Sequence, residues 1–260
     1  MHFANTVVLI VGASSGMGRV VALKLGAAGA KLVVTARRKD KLESLAADIS
    51  AKGGECLALA ADALDEHAAS NVVESAVQRF GRIDVALLNA GGAPAIDMRT
   101  MSAAEVKSYM RSNYDVTVNY LFPVLEQMKK QRGGVVAHTN SLAGFIGVPL
   151  QGPYCAAKAA ARLLIDTCRL EFADYGIKFV SIYPGFVATE STRDDGMPTM
   201  FEISEEEGAD HILYALRKEK TDYLFPAVMR WLIRLARVLP KRLLNWIQRR
   251  DVPPLARSEQ

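Results

Sequence analysis

Tyr154 and Lys158 stand four residues apart in Tyr154-Cys155-Ala156-Ala157-Lys158, and Ser141 lies thirteen residues before the tyrosine. On a helix, a spacing of four puts phenol and ammonium on one face, one turn from each other. A free phenol has a pKa of ~10 and is a poor acid or base at neutral pH. An ammonium at ~4 Å, in an effective dielectric of ~20, attracts a phenolate by about 4 kcal/mol. That is enough to lower the phenol by up to about three units, less what desolvation takes back. A general acid–base works best with its pKa near the operating pH. The pair on its own also describes two exposed helix residues, so its weight depends on the segments that would position it.

The first of these is Thr6 to Val11, a short apolar run rich in β-branched residues. It reads as a strand buried on both faces, as in a parallel sheet. It runs into Gly12-Ala13-Ser14-Ser15-Gly16-Met17-Gly18 and then a helix over about residues 19–28. Glycines at 12, 16 and 18 allow a tight turn, close approach of a diphosphate to the backbone, and packing of helix on strand. The helix N-terminus offers free N–H groups and positive dipole to phosphate. The second strand, Lys31 to Thr35, is followed by Ala36, Arg37, Arg38 and Lys39. An acid about twenty residues past the glycines would suit a free ribose 2′-hydroxyl. Ala36 stands there instead and cations follow, which suits a 2′-phosphate and hence NADP(H).

Downstream the alternation continues. Apolar residues at Leu42, Leu45, Ala46 and Ile49 predict a helix ended by Gly53-Gly54, and a third strand from Cys56 to Ala61 ends at Asp62 and Ala63. A helix over 68–80 and a fourth strand from Ile83 to Leu88 lead to Asn89-Ala90-Gly91-Gly92. A long helical stretch over 102–131 contains Asn113, and Pro123 is expected to kink or divide it. The fifth strand, Val135 to Thr139, delivers Ser141. Pro153 opens the helix carrying Tyr154 and Lys158, and a sixth strand, Ile177 to Tyr183, ends at Pro184-Gly185. Strand and helix alternating in this way predict an α/β fold, a doubly wound parallel sheet of Rossmann type.

Composition sets outer bounds. The chain has 260 residues, half of them hydrophobic, enough for one sizeable core. Cys56, Cys155 and Cys168 are odd in number and form no C-x-x-C pair, which fits a reduced, cytoplasmic setting. No signal-peptide pattern and no run of ~20 apolar residues is present. The four histidines have no metal-ligand spacing, no metal is expected, and His138 reads as a satisfied core residue. The net charge of +4 is concentrated at the C-terminal end, so the surface as a whole does not read as nucleic-acid binding.

Strand, Gly-x-x-x-Gly-x-Gly, Asn-Ala-Gly, Asn113, Ser141, Tyr-x-x-x-Lys and Pro-Gly appear in order over about residues 5–226. In this the chain resembles the short-chain dehydrogenases/reductases. The resemblance implies NAD(P)-dependent interconversion of a carbonyl and an alcohol. Tyr154 would be the acid–base, and Lys158 would lower its pKa and bind the nicotinamide ribose. Ser141 would hydrogen-bond the substrate oxygen, and Asn113 would hold a water in a proton relay to Lys158. Gly12, Ser14, Ser15, Gly16, Met17 and Gly18 would cradle the diphosphate, with Arg37 and Arg38 at the 2′-phosphate and Arg37 expected to contact it. Asp62 and Ala63 would lie by the adenine. Asn89, Ala90 and Gly91 would shape the cleft, and Pro184, Gly185, Val187 and Thr189 would face the nicotinamide. Val11, where threonine is frequent, and Val116, where glycine is common, depart from the family pattern without touching the Ser–Tyr–Lys set.

Three other function classes are weighed beside this. A β-ketoacyl-carrier reductase resembles the core equally well but typically ends soon after its last strand. A non-catalytic NADP(H) sensor would have no need of the intact Asn113, Ser141, Tyr154 and Lys158 set. A membrane-peripheral module is suggested by the C-terminal stretch, 227–260, which reads as a basic amphipathic tail after a 1–226 catalytic domain. There Arg230, Arg234 and Arg237 share a face opposite or beside Trp231, Leu232, Leu235 and Leu239, and Pro240 separates a second basic segment. The competing expectation is that the apolar face packs on the enzyme body.

Substrate specificity is expected in 189–204, including Met197, Pro198, Met200 and Phe201, and at Phe145, Ile146 and Leu150, a mostly apolar set that suits a hydrophobic ketone or aldehyde. Ser204 with Glu207 reads as a capping box. The resemblance implies pairing through the two long helices into at least a homodimer, with a homotetramer less expected because the tail extends the end of the chain that usually forms the family's second interface.

Overall fold

The computed structural model describes residues 1–190 and 201–252, and Met197, Pro198 and Met200 lie outside them. Seven strands form one sheet: β1 (Val7–Val11), β2 (Lys31–Ala36), β3 (Glu55–Ala60), β4 (Val85–Leu88), β5 (Gly134–Thr139), β6 (Ile177–Pro184) and β7 (Asp222–Phe225). Their order is β3-β2-β1-β4-β5-β6-β7, and every pairing is parallel. Six of these follow from the sequence pattern, and β7 completes the far edge. β1 is buried at all five positions, as a central strand covered on both faces must be.

Alternate residues of β1 feed two separate cores. Val8 and Ile10 pack with α1 (Gly16–Ala27), α2 (Lys39–Ser50) and α6 (Glu205–Arg217), through residues such as Leu25, Leu45 and Ile212. Leu9 and Val11 pack with α3 (Glu66–Phe80), α4 (Ala103–Gln131) and α5 (Gly152–Glu171), through Val73, Tyr120, Leu121 and Ile165. The period-two alternation of a strand is what divides the cores. Each face buries helices, so the doubly wound arrangement expected from the alternation is present.

The long helix is not divided at Pro123: α4 runs unbroken from Ala103 to Gln131. Proline removes one backbone hydrogen bond. Here the flanking Tyr120, Leu121, Val124 and Leu125 are all fully buried, so tertiary packing holds the helix through that defect. The Ser204–Glu207 capping box forms and starts α6, and an equivalent box, Ser102 with Glu105, starts α4. After β7 the chain continues as α7 (Ala227–Val238) and α8 (Lys241–Gln248), with Pro240 between them, as the sequence pattern indicates.

The strand order reverses between β1 and β4. Crevices at such a switch point lie beyond the carboxyl ends of the strands. Gly12 follows β1 there and Asn89 follows β4.

Candidate active site

A cleft of about 1000 Å³ opens at that switch point and passes along the ends of β1, β4, β5 and β6. Its deepest wall is made by β5 and α5. β5 ends at Thr139 and runs into Asn140 and Ser141, and α5 presents Tyr154 and Lys158 on one face, a turn apart. Lys158 is 3% exposed, and its Nζ donates to the Thr139 carbonyl at 3.1 Å. The same ammonium lies 5.6 Å from the centroid of the Tyr154 ring. Tyr154 and Ser141 are hydrogen-bonded to each other.

The balance of charges differs from the sequence expectation. Removal from water pushes the Tyr154 phenol up to about 12, against the Ser141 hydrogen bond that pulls it down. Burial lowers Lys158 to about 8. The ammonium therefore does not bring the phenol toward neutrality in this state. It sits beside the ring and is engaged by a carbonyl, and desolvation of both groups outweighs their attraction. Burial thus favours the protonated phenol.

Asn113, only 1% exposed, is held on α4. Its Oδ1 accepts from Gly92 N at 3.1 Å, and its Nδ2 donates to the Tyr109 carbonyl at 3.3 Å. Gly91 sits between this side chain and Lys158. A Cβ there would lie 2.9 Å from Asn113 Oδ1 and 3.5 Å from Lys158 Nζ, and its φ of +148° also favours glycine. The missing side chain keeps a small space open between the two polar groups.

The other half of the cleft is the glycine-rich turn. Gly12 adopts φ +86°, and a Cβ on it would come within 2.9 Å of the Ala90 backbone. Ser15 N-caps α1 without a side-chain hydrogen bond, and no acid occupies the first turn. The leading N–H groups of α1 and its dipole are thus directed at the cleft. Ser14, Ser15, Gly16 and Met17 line it, as do Asp62, Ala63, Asn89, Ala90, Gly91, Pro184, Gly185, Val187 and Thr189. Gly18 lies behind, packed on Gly12 and Asn89. Asn89 Oδ1 and Thr139 Oγ1 are buried and without a hydrogen-bond partner among the described residues. A side-chain-free cradle, an anion-attracting helix start and two unsatisfied polar atoms fit a dinucleotide.

Arg37 and Arg38 both border the cleft, but they differ. Arg37 is exposed. Arg38 reaches back over the turn: its Nη2 donates to Ser14 Oγ at 3.1 Å and to Ser15 Oγ, and its Nη1 pairs with Glu190 Oε2 at 2.9 Å. Asp62 Oδ1 accepts from Leu64 N at 3.0 Å, which fixes the turn after β3.

The cleft lining also includes an apolar group, Leu142, Ala143, Val148, Phe186, Met229 and Ile233, alongside the polar Ser112, Gln151 and Glu202. The expected specificity residues Phe145 and Ile146 lie beneath this surface. Phe145 packs on Tyr183 at 4.8 Å between ring centroids, and both join the cluster under α7. Leu150 serves the backbone instead, its carbonyl accepting from Ile96 N at 2.8 Å. Phe201 is exposed.

Sequence reasoning passed over Asn140. Its Nδ2 donates to the Lys158 carbonyl at 3.0 Å and its Oδ1 accepts from Ser141 N at 2.8 Å, so one buried side chain staples the Ser141 and Lys158 segments together. An asparagine closing an apolar strand beside a chemical serine was the available signal. Met229 and Ile233 had none, because only the path of α7 brings them to the cleft. His138 is in the core, but only one of its ring nitrogens is partnered: Nε2 meets Thr117 Oγ1 at 3.4 Å and Nδ1 has no partner among the described residues. Burial first, and then the Lys158 charge, hold its pKa well below the usual value.

Comparison with known proteins agrees with this geometry. The family model for short chain dehydrogenases matches residues 6–197. The chain is 36% identical over 192 residues to an uncharacterized oxidoreductase of Listeria monocytogenes, covering 73% of this chain and 77% of that one. It is 33% identical over 189 residues to a 3-oxoacyl-acyl-carrier-protein reductase of Staphylococcus epidermidis, covering 72% and 78%. Among solved structures, an alcohol dehydrogenase of Thermococcus sibiricus complexed with 5-hydroxy-NADP superposes with a TM-score of 0.77 at 26% identity, covering 86% of this chain and 97% of that one. The matched region contains the glycine-rich turn, the Asn-Ala-Gly segment and the Ser141–Tyr154–Lys158 wall in the same fold, so the chain is an oxidoreductase of the short-chain dehydrogenase/reductase family.

Proposed function

We propose that this oxidoreductase uses NADP(H) to reduce a hydrophobic ketone or aldehyde, with Tyr154 as the proton donor. The observation that carries the proposal is geometric: Tyr154, hydrogen-bonded to Ser141 and with Lys158 Nζ 5.6 Å from its ring, lines a cleft that also has apolar walls. The nicotinamide, when bound, supplies the hydride. Ser141 and Tyr154 then hydrogen-bond the carbonyl oxygen, and Tyr154 delivers the proton as negative charge builds there. Burial raises the phenol and so keeps on it the proton that it donates. Lys158 binds the nicotinamide ribose and balances charge at the phenol. Asn113, across the space left by Gly91, holds a water that returns a proton to Lys158.

NADP(H) is preferred over NAD(H) because Ala36 stands where an acid would meet a free 2′-hydroxyl and Arg37 and Arg38 follow it. Of the two, Arg38 lies over the turn and is the better partner for a 2′-phosphate. The remaining cofactor contacts are those named for the cleft: the diphosphate at 12–18, the adenine at Asp62 and Ala63, the nicotinamide side at Pro184, Gly185, Val187 and Thr189. Residues 1–226 form the catalytic unit and 227–260 the tail. Exposed Phe122 on α4 and Leu163 and Leu170 on α5 support a homodimer that pairs through these helices.

A second reading, reduction of a β-ketoacyl carrier substrate, draws on the Staphylococcus relative. Against it, α7 brings Met229 and Ile233 into the cleft lining. A panel of hydrophobic ketones, aldehydes and a β-ketoacyl thioester, each with NADPH and NADH and followed at the nicotinamide absorbance, tests all of this. Fastest turnover of the thioester would favour the second reading, and no turnover of any carbonyl would leave only a dinucleotide sensor.

A further inference from the structure

The tail divides its apolar residues between two surfaces. Met229 and Ile233 of α7 turn inward, where Ile233 is buried against Leu142 and Tyr183. Val228, Trp231, Leu235 and Val238 recur at intervals of three and four on the side away from the body, and all are exposed. Trp231 is 60% exposed, Leu235 55% and Val238 78%. In α8 the same pattern repeats, with exposed Leu243, Trp246 and Ile247 at i, i+3 and i+4. Packing on the body therefore accounts for one edge of the apolar arc and leaves the other uncovered.

Charge identifies what would cover it. Residues 227–252 contain seven cations and a single acid, Asp251, a surplus larger than the +4 of the whole chain, so the rest of the molecule is slightly acidic. Six of the seven cations are exposed. Two of them sit beside the tryptophans: Arg234 lies 5.0 Å from the Trp231 ring and Arg250 4.7 Å from the Trp246 ring. Tryptophan and leucine flanked by arginine are suited to the boundary between headgroups and acyl chains. No helix among the described residues is long and apolar enough to cross a membrane, so the contact is with a surface. A second copy of the chain would bring two such basic tails together and be opposed by their charge.

We propose that the outer face of α7 and α8 is a docking surface for an anionic lipid bilayer. Docking there would hold the cleft against the membrane. α7 lines the cleft, Arg237 stacks 5.2 Å from Phe145, and Gln248 Nε2 donates to the Gly147 carbonyl at 2.9 Å. The geometry does not depend on which carbonyl compound is reduced.

The chain supplies its own probe, because Trp231 and Trp246 are its only two tryptophans. Vesicles of phosphatidylcholine with phosphatidylglycerol should shift the emission of the full-length protein to the blue and carry it into the pellet at low salt. Phosphatidylcholine alone should do neither, and high salt should reverse the binding. Arg234→Gln with Arg242→Gln should weaken vesicle binding about fivefold for each charge removed. Trp246→Ser with Leu235→Ser should abolish it. Melting temperature and turnover of soluble substrate should be unchanged in these variants, since the side chains are exposed. Equal binding to both vesicle types, or no emission shift at low salt, overturns the proposal. So does a loss of dimer mass in the Trp246→Ser, Leu235→Ser variant without any vesicle binding by the wild type, which would assign the face to a protein contact.

Discussion

The two ends of the cleft are built on different physical principles. At the β5–α5 wall, Lys158 is almost wholly buried, tied to the Thr139 carbonyl and braced by Asn140, so its position is fixed several times over. At the opposite rim, Arg38 reaches its partners from a partly exposed position, and Arg37 beside it is exposed. Burial makes the first end rigid and shifts its pKa values. Exposure leaves the second end adjustable and its affinities modest. On the proposed reading, chemistry sits where the protein has removed alternatives, and cofactor choice where a few competing charges would set it.

The strongest way to break this contrast is Tyr154→Phe. It removes one oxygen from the rigid end and leaves the diphosphate cradle untouched. A positioned general acid contributes about 10²–10⁴ in rate, so kcat should fall by that factor while the Kd for NADPH stays nearly constant. Retention of more than about a tenth of wild-type kcat, a loss of only ~1.4 kcal/mol, would show that another group donates the proton.

At the rim the test is a pair of substitutions. Arg38→Asp should weaken NADPH about ten- to a hundredfold and NADH little, because a charge-assisted bond to phosphate contributes roughly 1.5–3 kcal/mol. Arg37→Asp, on the more exposed of the two side chains, should cost clearly less. Titration of both cofactors by fluorescence measures the four affinities. If Arg37→Asp has the larger effect, the closeness of Arg38 to Ser14 and Ser15 does not carry over to the cofactor.

Those two ends also mark how far the sequence could be read. The buried end was legible because its requirements are local and periodic. A four-residue spacing on a helix, a β-branched strand and a glycine turn each have one favoured geometry, and β1 through β6 followed from them. The rim was legible only as a pair of cations, since adjacent exposed residues compete for one ligand and the loop path chooses between them. Distances in three dimensions were not legible at all: Met229 lies more than seventy residues beyond Tyr154 and reaches the cleft only through the turn after β7. The charge state of Tyr154 was misjudged for a related reason. A spacing gives the partner of a group but not the solvent it loses, and here desolvation outweighs the partner.

That reversal makes a pH prediction. In the free enzyme Lys158 gives up its charge at about 8, while Tyr154 stays protonated to about 12. kcat/KM for carbonyl reduction should be level below pH 8 and fall up to about tenfold per unit above it, reporting the free-enzyme lysine. Stability should move the opposite way. The folded lysine loses its proton near 8, and the unfolded one near its ordinary value of ~10.4, so between these the unfolded state binds more protons. Stability from this side chain therefore rises with pH across that window, and urea unfolding of wild type against Lys158→Met isolates it. A kcat/KM that stays level to pH 10 would mean that Lys158 keeps its charge.

The smallest expected effect concerns Glu190, and it tests whether the rim is adjustable in the sense drawn above. Its carboxylate pairs with Arg38 Nη1 at 2.9 Å, and the hydrogen bond and charge of Arg38 hold its pKa below the ordinary value. A 2′-phosphate arriving at Arg38 has to share or displace that carboxylate. Exposed ion pairs are weak, so Glu190→Gln should tighten NADPH by about fivefold at most. NADH, which brings no phosphate to Arg38, should be unaffected, and the gain should shrink as salt screens the pair. The variant keeps the size and hydrogen-bonding reach of the side chain, so a steric account predicts no change for either cofactor. If Glu190→Gln weakens NADPH instead, the carboxylate does not compete with the phosphate but orients Arg38 toward it, and the rim is as firmly prearranged as the tyrosine wall.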